Sequence, residues 1–328
     1  MRHGGSVWNT GNPYAWIDFS ANLRPDGPPL WVENAIHDAQ KNLRFYPDSD
    51  MKRARRGLAR LLDLPEACVL PVAGGIAAID LALSSSTGRV FIQPPTFSEY
   101  AGRAAVYGRP CETWSGKCRK GDTLVICNPN NPTGEARTQS ELLSLQDSLA
   151  ADGGALLIDE AFIEYCPEYS MRSYIRPGLI IAGSLSKILG TPGIRLGYIC
   201  ADPETVLLLW RRLFPWPLDA FATEIAAQLP EHMDEIRTDA KLNTARRSAF
   251  AKQLTKLGAE VFPSESNFQL VDFHRDMIAA ADLLRSRGIL VRSCSSFGLP
   301  DSYWRLAVRT EADNTRLINE LEEILHVR

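Results

Sequence analysis

The sequence predicts an α/β fold: a mostly parallel sheet buried on both faces, joined to a smaller α+β domain. Two observations carry this. Short, continuous apolar runs alternate with longer amphipathic segments through the middle of the chain, as strands covered by helices on both sides do. From about residue 230 that alternation gives way to one long charged helical stretch and several short strands. The expected organisation is an arm over 1–35, a large domain over 36–230 and a small domain over 231–328.

The first ~35 residues carry prolines at 13, 25, 28 and 29 and read as an arm that packs on something else. The runs at 89–93, 123–127, 155–159, 179–183 and 194–200 read as strands, with helices at about 75–86 and 138–150 between them. Beyond 230 a helix is expected over about 231–257. Strands follow near 259–262, 267–273, 289–292 and 303–309. A closing helix sets Leu317, Ile318, Leu321, Ile324 and Leu325 on one face.

Composition limits the function classes. The 328 residues are 45% hydrophobic and 23% charged, with a net charge of -3. Nothing in that balance calls for nucleic acid or an anionic membrane, and the "KRARR" run at 52–56 reads as a solvated helix face. The seven cysteines show no C-x-x-C and no paired spacing, which fits a reducing compartment. No apolar run approaches the ~18–20 residues of a membrane span, and "MRHGGSVWN" has no apolar signal region. A cytoplasmic protein is expected, with no metal site.

Ligands of parallel sheets bind beyond the carboxyl ends of the strands, so the residues that follow each run matter most. Asn131 lies in "NPNNPTG" after 123–127, and Asp159 ends 155–159. Ser184 and Lys187 follow 179–183, and Gly74-Gly75 precedes a helix. Each has a plain explanation alone: a turn former, a helix cap, a surface lysine, a tight turn. Together they suit one ligand. A phosphate takes the Gly75 and Ile76 backbone, the Ser184 hydroxyl and Arg195. A basic ring nitrogen takes Asp159, a ring oxygen takes Asn131, and an aldehyde takes the Lys187 amine. That ligand is pyridoxal 5'-phosphate.

The order "NNPTG" (130–134), "DEAF" (159–162), "SLSK" (184–187), "PGIRLGY" (192–198) resembles the fold-type I, aspartate aminotransferase-like enzymes over nearly the whole chain. Within them, "HGG" (3–5), "DFSANLRP" (18–25), "YPD" (46–48), "PWPLDAFA" (215–222), "RSC" (292–294) and "WRLAVR" (304–309) are similar to the threonine-phosphate decarboxylases, which make aminopropanol phosphate for cobalamin. These are relatives of the histidinol-phosphate aminotransferases. The resemblance implies that Lys187 binds the cofactor as an imine and Asp159 pairs with its ring nitrogen. Phe97 would stack on the ring, with Gly74, Gly75, Ile76, Ser184 and Arg195 around the phosphate. Tyr46 would reach the site of a second subunit, in a homodimer with shared active sites. Arg305 would take the substrate carboxylate between Asn22 and Asn267. His3, Gly4, Arg292 and Arg309 would meet the phosphate of a phosphorylated amino acid.

Three positions depart from the wider pattern. Phe162 stands where aminotransferases carry tyrosine, a feature the decarboxylase-like relatives share. Ile76 leaves only backbone for the phosphate, and Asp219 is expected to add a negative charge near the site. A transaminase acting on a phosphorylated amino acid or amine uses the same residues. A non-catalytic protein on this fold is a further alternative. Ser184-Leu-Ser-Lys187 is also S-x-x-K, but its S-D-N and K-T-G partners are absent, and no G-x-G-x-x-G follows a strand.

Overall fold

The computed structural model describes residues 4–326. In chain order, β1 (Ile17–Asp18), α1 (Leu30–Ala39) and α2 (Lys52–Leu62) precede β2 (Val69–Val72) and α3 (Gly75–Ser84). Then come β3 (Val90–Ile92), α4 (Glu99–Val106), β4 (Cys111–Thr113), β5 (Thr123–Cys127), α5 (Gln139–Ala151), β6 (Ala155–Asp159), β7 (Leu179–Ser184) and β8 (Gly197–Cys200). Helices α6 (Pro203–Trp210), α7 (Ala220–Gln228) and α8 (Met233–Lys256) lead to β9 (Glu260–Val261), β10 (Phe268–Asp272) and α9 (Ile278–Ser286). The chain closes with β11 (Ile289–Leu290), β12 (Arg292–Ser293), β13 (Tyr303–Ala307) and α10 (Glu311–His326).

Seven strands form the large sheet in the order β2-β8-β7-β6-β5-β3-β4. Only β8 runs against its neighbours, so the sheet is mostly parallel. Every residue of β5 and β7 is buried, which explains their unbroken apolar character: helices cover both faces. Local signals set the helix starts. Thr138 and Glu141 close a reciprocal capping box on α5, and Asp202 caps α6 with Pro203 at its first position.

A four-stranded antiparallel sheet, β12-β13-β10-β9, carries the second apolar core. Phe250 and Leu254 of α8 pack there with Trp304, Leu306, Leu317 and Leu321, whereas Ile236 and Ala240 of the same helix belong to the first core. The N-terminal segment contributes to the second core as well. β1 pairs in parallel with β11, and Phe19 is fully buried against Phe250.

The boundaries of several elements differ from the sequence reading. The 194–200 run becomes a strand only at Gly197, because Leu196 is used by the turn: its amide donates to Ile194 O and its carbonyl accepts from Leu185 N. The 289–292 run is two strands in two sheets, divided at Val291. β2 and β4 were not expected at all.

Candidate active site

The register aligns Cys127 with Asp159 and Asp159 with Ala182, so the carboxyl ends of β5, β6 and β7 form one ledge. Above it lies a cavity of about 310 Å³, within the range of small-molecule sites. Its walls include Gly4, Asn22, Gly75, Ile76, Phe97, Asn131, Asp159, Ser184, Lys187, Arg195, Arg292 and Arg305, all anticipated from the sequence.

Lys187 sits in a turn anchored by Leu185, Ile188 and Leu189, each nearly fully buried. The Lys187 carbonyl accepts from Arg24 N at 3.0 Å, which ties the N-terminal segment to the lysine. Burial, then the charges of Arg305 and Arg195, push the Lys187 amine down to about 8 against the pull of Asp159. A minority of the amine, but far more than for an ordinary lysine, is therefore neutral and nucleophilic near physiological pH. Asp159 is buried: its Oδ2 accepts from Tyr100 Oη at 2.6 Å and its Oδ1 from Ala161 N at 3.0 Å. Burial raises this carboxyl, and the two donors and Lys187 oppose that rise.

The start of α3 makes an anion cradle. Gly74, at φ 89° and ψ 169°, has a backbone conformation that L side chains rarely adopt, and a Cβ there would lie 2.5 Å from Arg195 Nη2. No side chain caps α3, and Gly75 and Ile76 at its start line the cavity, where helix N-terminal amides suit an anion. The Ser184 and Ser186 hydroxyls are 2.9 Å apart beside them. These groups fit a phosphate, and with Lys187, Asp159 and Phe97 they fit pyridoxal phosphate.

On the far wall, Arg292 and Arg305 face each other as direct partners on the neighbouring strands β12 and β13. Both are buried, and burial lowers both guanidinium pKa values, that of Arg305 to about 10. Arg305 Nη1 donates to Asn131 Oδ1 at 2.8 Å and Nη2 to Ser20 O at 2.5 Å. Its Nε is buried without a partner, as is Asn22 Oδ1. Arg292 Nη2 donates to Ser296 Oγ at 2.6 Å, and its guanidinium lies 5.4 Å from the Phe297 ring centre. Like charges opposed across strands destabilise a sheet, and an anionic ligand relieves the cost.

Other expected residues stand elsewhere. Asn267 is fully buried behind the cavity, where its amide donates to Tyr165 Oη at 3.2 Å. That hydroxyl in turn faces Lys187 O at 3.4 Å. Arg309 is also outside the wall: it pairs with Asp313 one helical turn away at 3.0 Å and donates to Asp18 O. Tyr46 is 81% exposed and packs on Trp216, away from this chain's own cavity. His3 lies outside the described residues. The charge expected from Asp219 is not in the wall, because its carboxylate caps α7 through Ala222 N at 2.7 Å.

Sequence reasoning missed Tyr100, Cys127, Ser186 and Phe297, all of which line the cavity or bond to its wall. Tyr100 had a signal: it follows Phe97 by three residues into the first turn of α4, the spacing that puts two side chains on one face.

Residues 14–321 match the family described as aminotransferase class I and II. The chain is 30% identical to the threonine-phosphate decarboxylase of Salmonella typhimurium, covering 98% of this chain and 96% of that protein. Its fold is similar to the crystal structure of the histidinol-phosphate aminotransferase from Clostridium acetobutylicum (TM-score 0.86, 27% identity, 93% and 98% of the two chains). It is also similar to that of L-threonine-O-3-phosphate decarboxylase from Porphyromonas gingivalis (TM-score 0.84, 26% identity, 94% and 98%).

Proposed function

The chain belongs to the class I and II aminotransferase family of pyridoxal phosphate-dependent enzymes, and we propose that it decarboxylates L-threonine O-3-phosphate to aminopropanol phosphate. The observation that carries this reading is the pair of buried guanidiniums, Arg292 and Arg305, opposed across β12 and β13. They stand apart from Arg195, which rests on Gly74 at the phosphate cradle. A ligand that gives each guanidinium its own partner carries two anionic groups besides those of the cofactor. The similarity to threonine-phosphate decarboxylases supports a carboxylate and a phosphate as the two.

The bound cofactor supplies a cationic ring that accepts the electron pair left when a bond to Cα breaks. Asp159 keeps the proton on the ring nitrogen. Lys187 Nζ, neutral in part because of its lowered pKa, would hold the cofactor at its aldehyde and would return a proton to Cα. Arg305 takes the carboxylate with its unpaired Nε, and Arg292 takes the phosphate. Two fixed anchors leave the substituents of Cα little rotational freedom, so remote binding energy selects which bond is strained. The reading also makes the enzyme a homodimer in which the exposed Tyr46 serves the site of a second copy.

Transamination on the same residues is the rival, since the similarity to a histidinol-phosphate aminotransferase is comparable. Incubation with threonine phosphate, serine phosphate or histidinol phosphate, without any oxo acid, separates the two. Catalytic CO₂ release from threonine phosphate supports the proposal. Turnover that requires an oxo-acid acceptor defeats it.

A further inference from the structure

We propose that Tyr100 is a positioning residue whose hydroxyl keeps the Asp159 carboxylate charged and aimed at the ring nitrogen of the cofactor. This rests on the reading that Asp159 is the partner of that nitrogen. Tyr100 is fully buried, with no exposed surface. Its hydroxyl donates to Asp159 Oδ2 at 2.6 Å, a length typical of a charge-assisted bond. The other oxygen, Oδ1, is held by Ala161 N. With one fixed donor on each oxygen, the carboxylate cannot swing about its χ2 axis without breaking a bond in a buried space.

The surroundings show why the hydroxyl is needed. The titratable groups facing Asp159 are Tyr100 from α4, Cys127 from β5 and Lys187 from the turn after β7. Only Lys187 brings positive charge, and the thiol brings none. Burial pushes the carboxyl toward its neutral form, and a neutral acid cannot pair with a cationic ring. Hydrogen bonds to the ionised form oppose that shift. The same ring meets Phe97 edge-on, with centres 5.6 Å apart at 85°. Tyr100 therefore supports both the Asp159 carboxylate and the aromatic wall of the cavity, and a phenylalanine would supply the second support alone.

The test is a double-mutant cycle read by cofactor binding to the apoprotein. Tyr100→Phe should weaken pyridoxal phosphate binding roughly tenfold at pH 7, with the acid limb of binding moved to higher pH. In an Asp159→Asn background the same change should alter affinity less than twofold. Equal effects in both backgrounds would show that Tyr100 acts through packing, and no effect of Tyr100→Phe on the native background would likewise overturn the proposal. No effect of Asp159→Asn by itself would remove the reading of Asp159 on which the proposal rests. A fluorinated tyrosine at position 100 covers the chance that Tyr100→Phe folds poorly. As a stronger donor of the same shape, it should move the acid limb to lower pH, and a shift in the same direction as phenylalanine would contradict the proposal.

Discussion

Arg292→Gln should cost the empty protein little and the enzyme much. Arg292 and Arg305 are both buried and are direct partners on adjacent strands. At an effective dielectric near 20, like unit charges ~4–8 Å apart repel by roughly 2–4 kcal/mol. Arg292 recovers part of that from its polar contacts, the bond to Ser296 among them, and from its place over Phe297, each worth about 0.5–1.5 kcal/mol. The two contributions oppose each other, so removing the charge should change the stability of the empty protein by less than about 1 kcal/mol in urea denaturation. The same change deletes a charge-assisted contact to the distal phosphate, about 2–3 kcal/mol or roughly 30–150-fold in kcat/KM for threonine phosphate. An unchanged kcat/KM would refute the assignment of Arg292 to substrate. A loss of more than about 3 kcal/mol of apoprotein stability would refute the argument that the pair is held in place for a ligand.

Three other expectations concern the cofactor side. Lys187→Met should abolish the visible cofactor band and raise apoprotein stability at pH 7, because the amine pKa is lowered by burial to about 8. Between about pH 8 and 10.4 the unfolded chain alone retains that proton, so wild-type stability climbs there and the advantage of the variant should shrink. A pH-independent difference would contradict the lowered value. Gly74→Ala places a Cβ 2.5 Å from Arg195 Nη2 at a φ of 89°. It should cost about 1–3 kcal/mol of stability and weaken cofactor binding, measured by denaturation and fluorescence titration. Tyr46→Ala touches an exposed side chain, so stability should change by less than about 0.5 kcal/mol. Its activity should return when it is mixed into dimers with Lys187→Ala subunits, since one of the two sites then has both residues; no recovery would argue against shared sites.

The ledge that holds the site was legible because buried parallel strands are continuous in their apolar character. β5 and β6 fall on the predicted runs without a shift, and β7 extends its run by one residue, so Asp159 and Ser184 were placed by position alone. β2 escaped notice because Pro71 interrupts it and it is only four residues long, with Ala73 alone between it and Gly74. β4 is short and largely exposed, so it carries no core pattern. Arg292 and Arg305 were found through motif resemblance, but their pairing was not, because register between β12 and β13 depends on long-range contacts. Asn267 and Arg309 were expected at the substrate from the family resemblance alone. Asn267 instead bonds to Tyr165, and Arg309 to Asp313 at the start of α10. Asp219 was misread because a lone acid before a helical run carries the same letter whether it caps the helix or faces a ligand.

The bond that breaks at Cα can be observed directly. With the holoprotein and threonine phosphate in D₂O, and no oxo acid, proton NMR should show aminopropanol phosphate accumulating over many turnovers with one deuterium at the carbon that lost CO₂. Substrate that instead exchanges its Cα proton for deuterium while keeping its carboxylate would contradict the proposed decarboxylation and point to an aminotransferase.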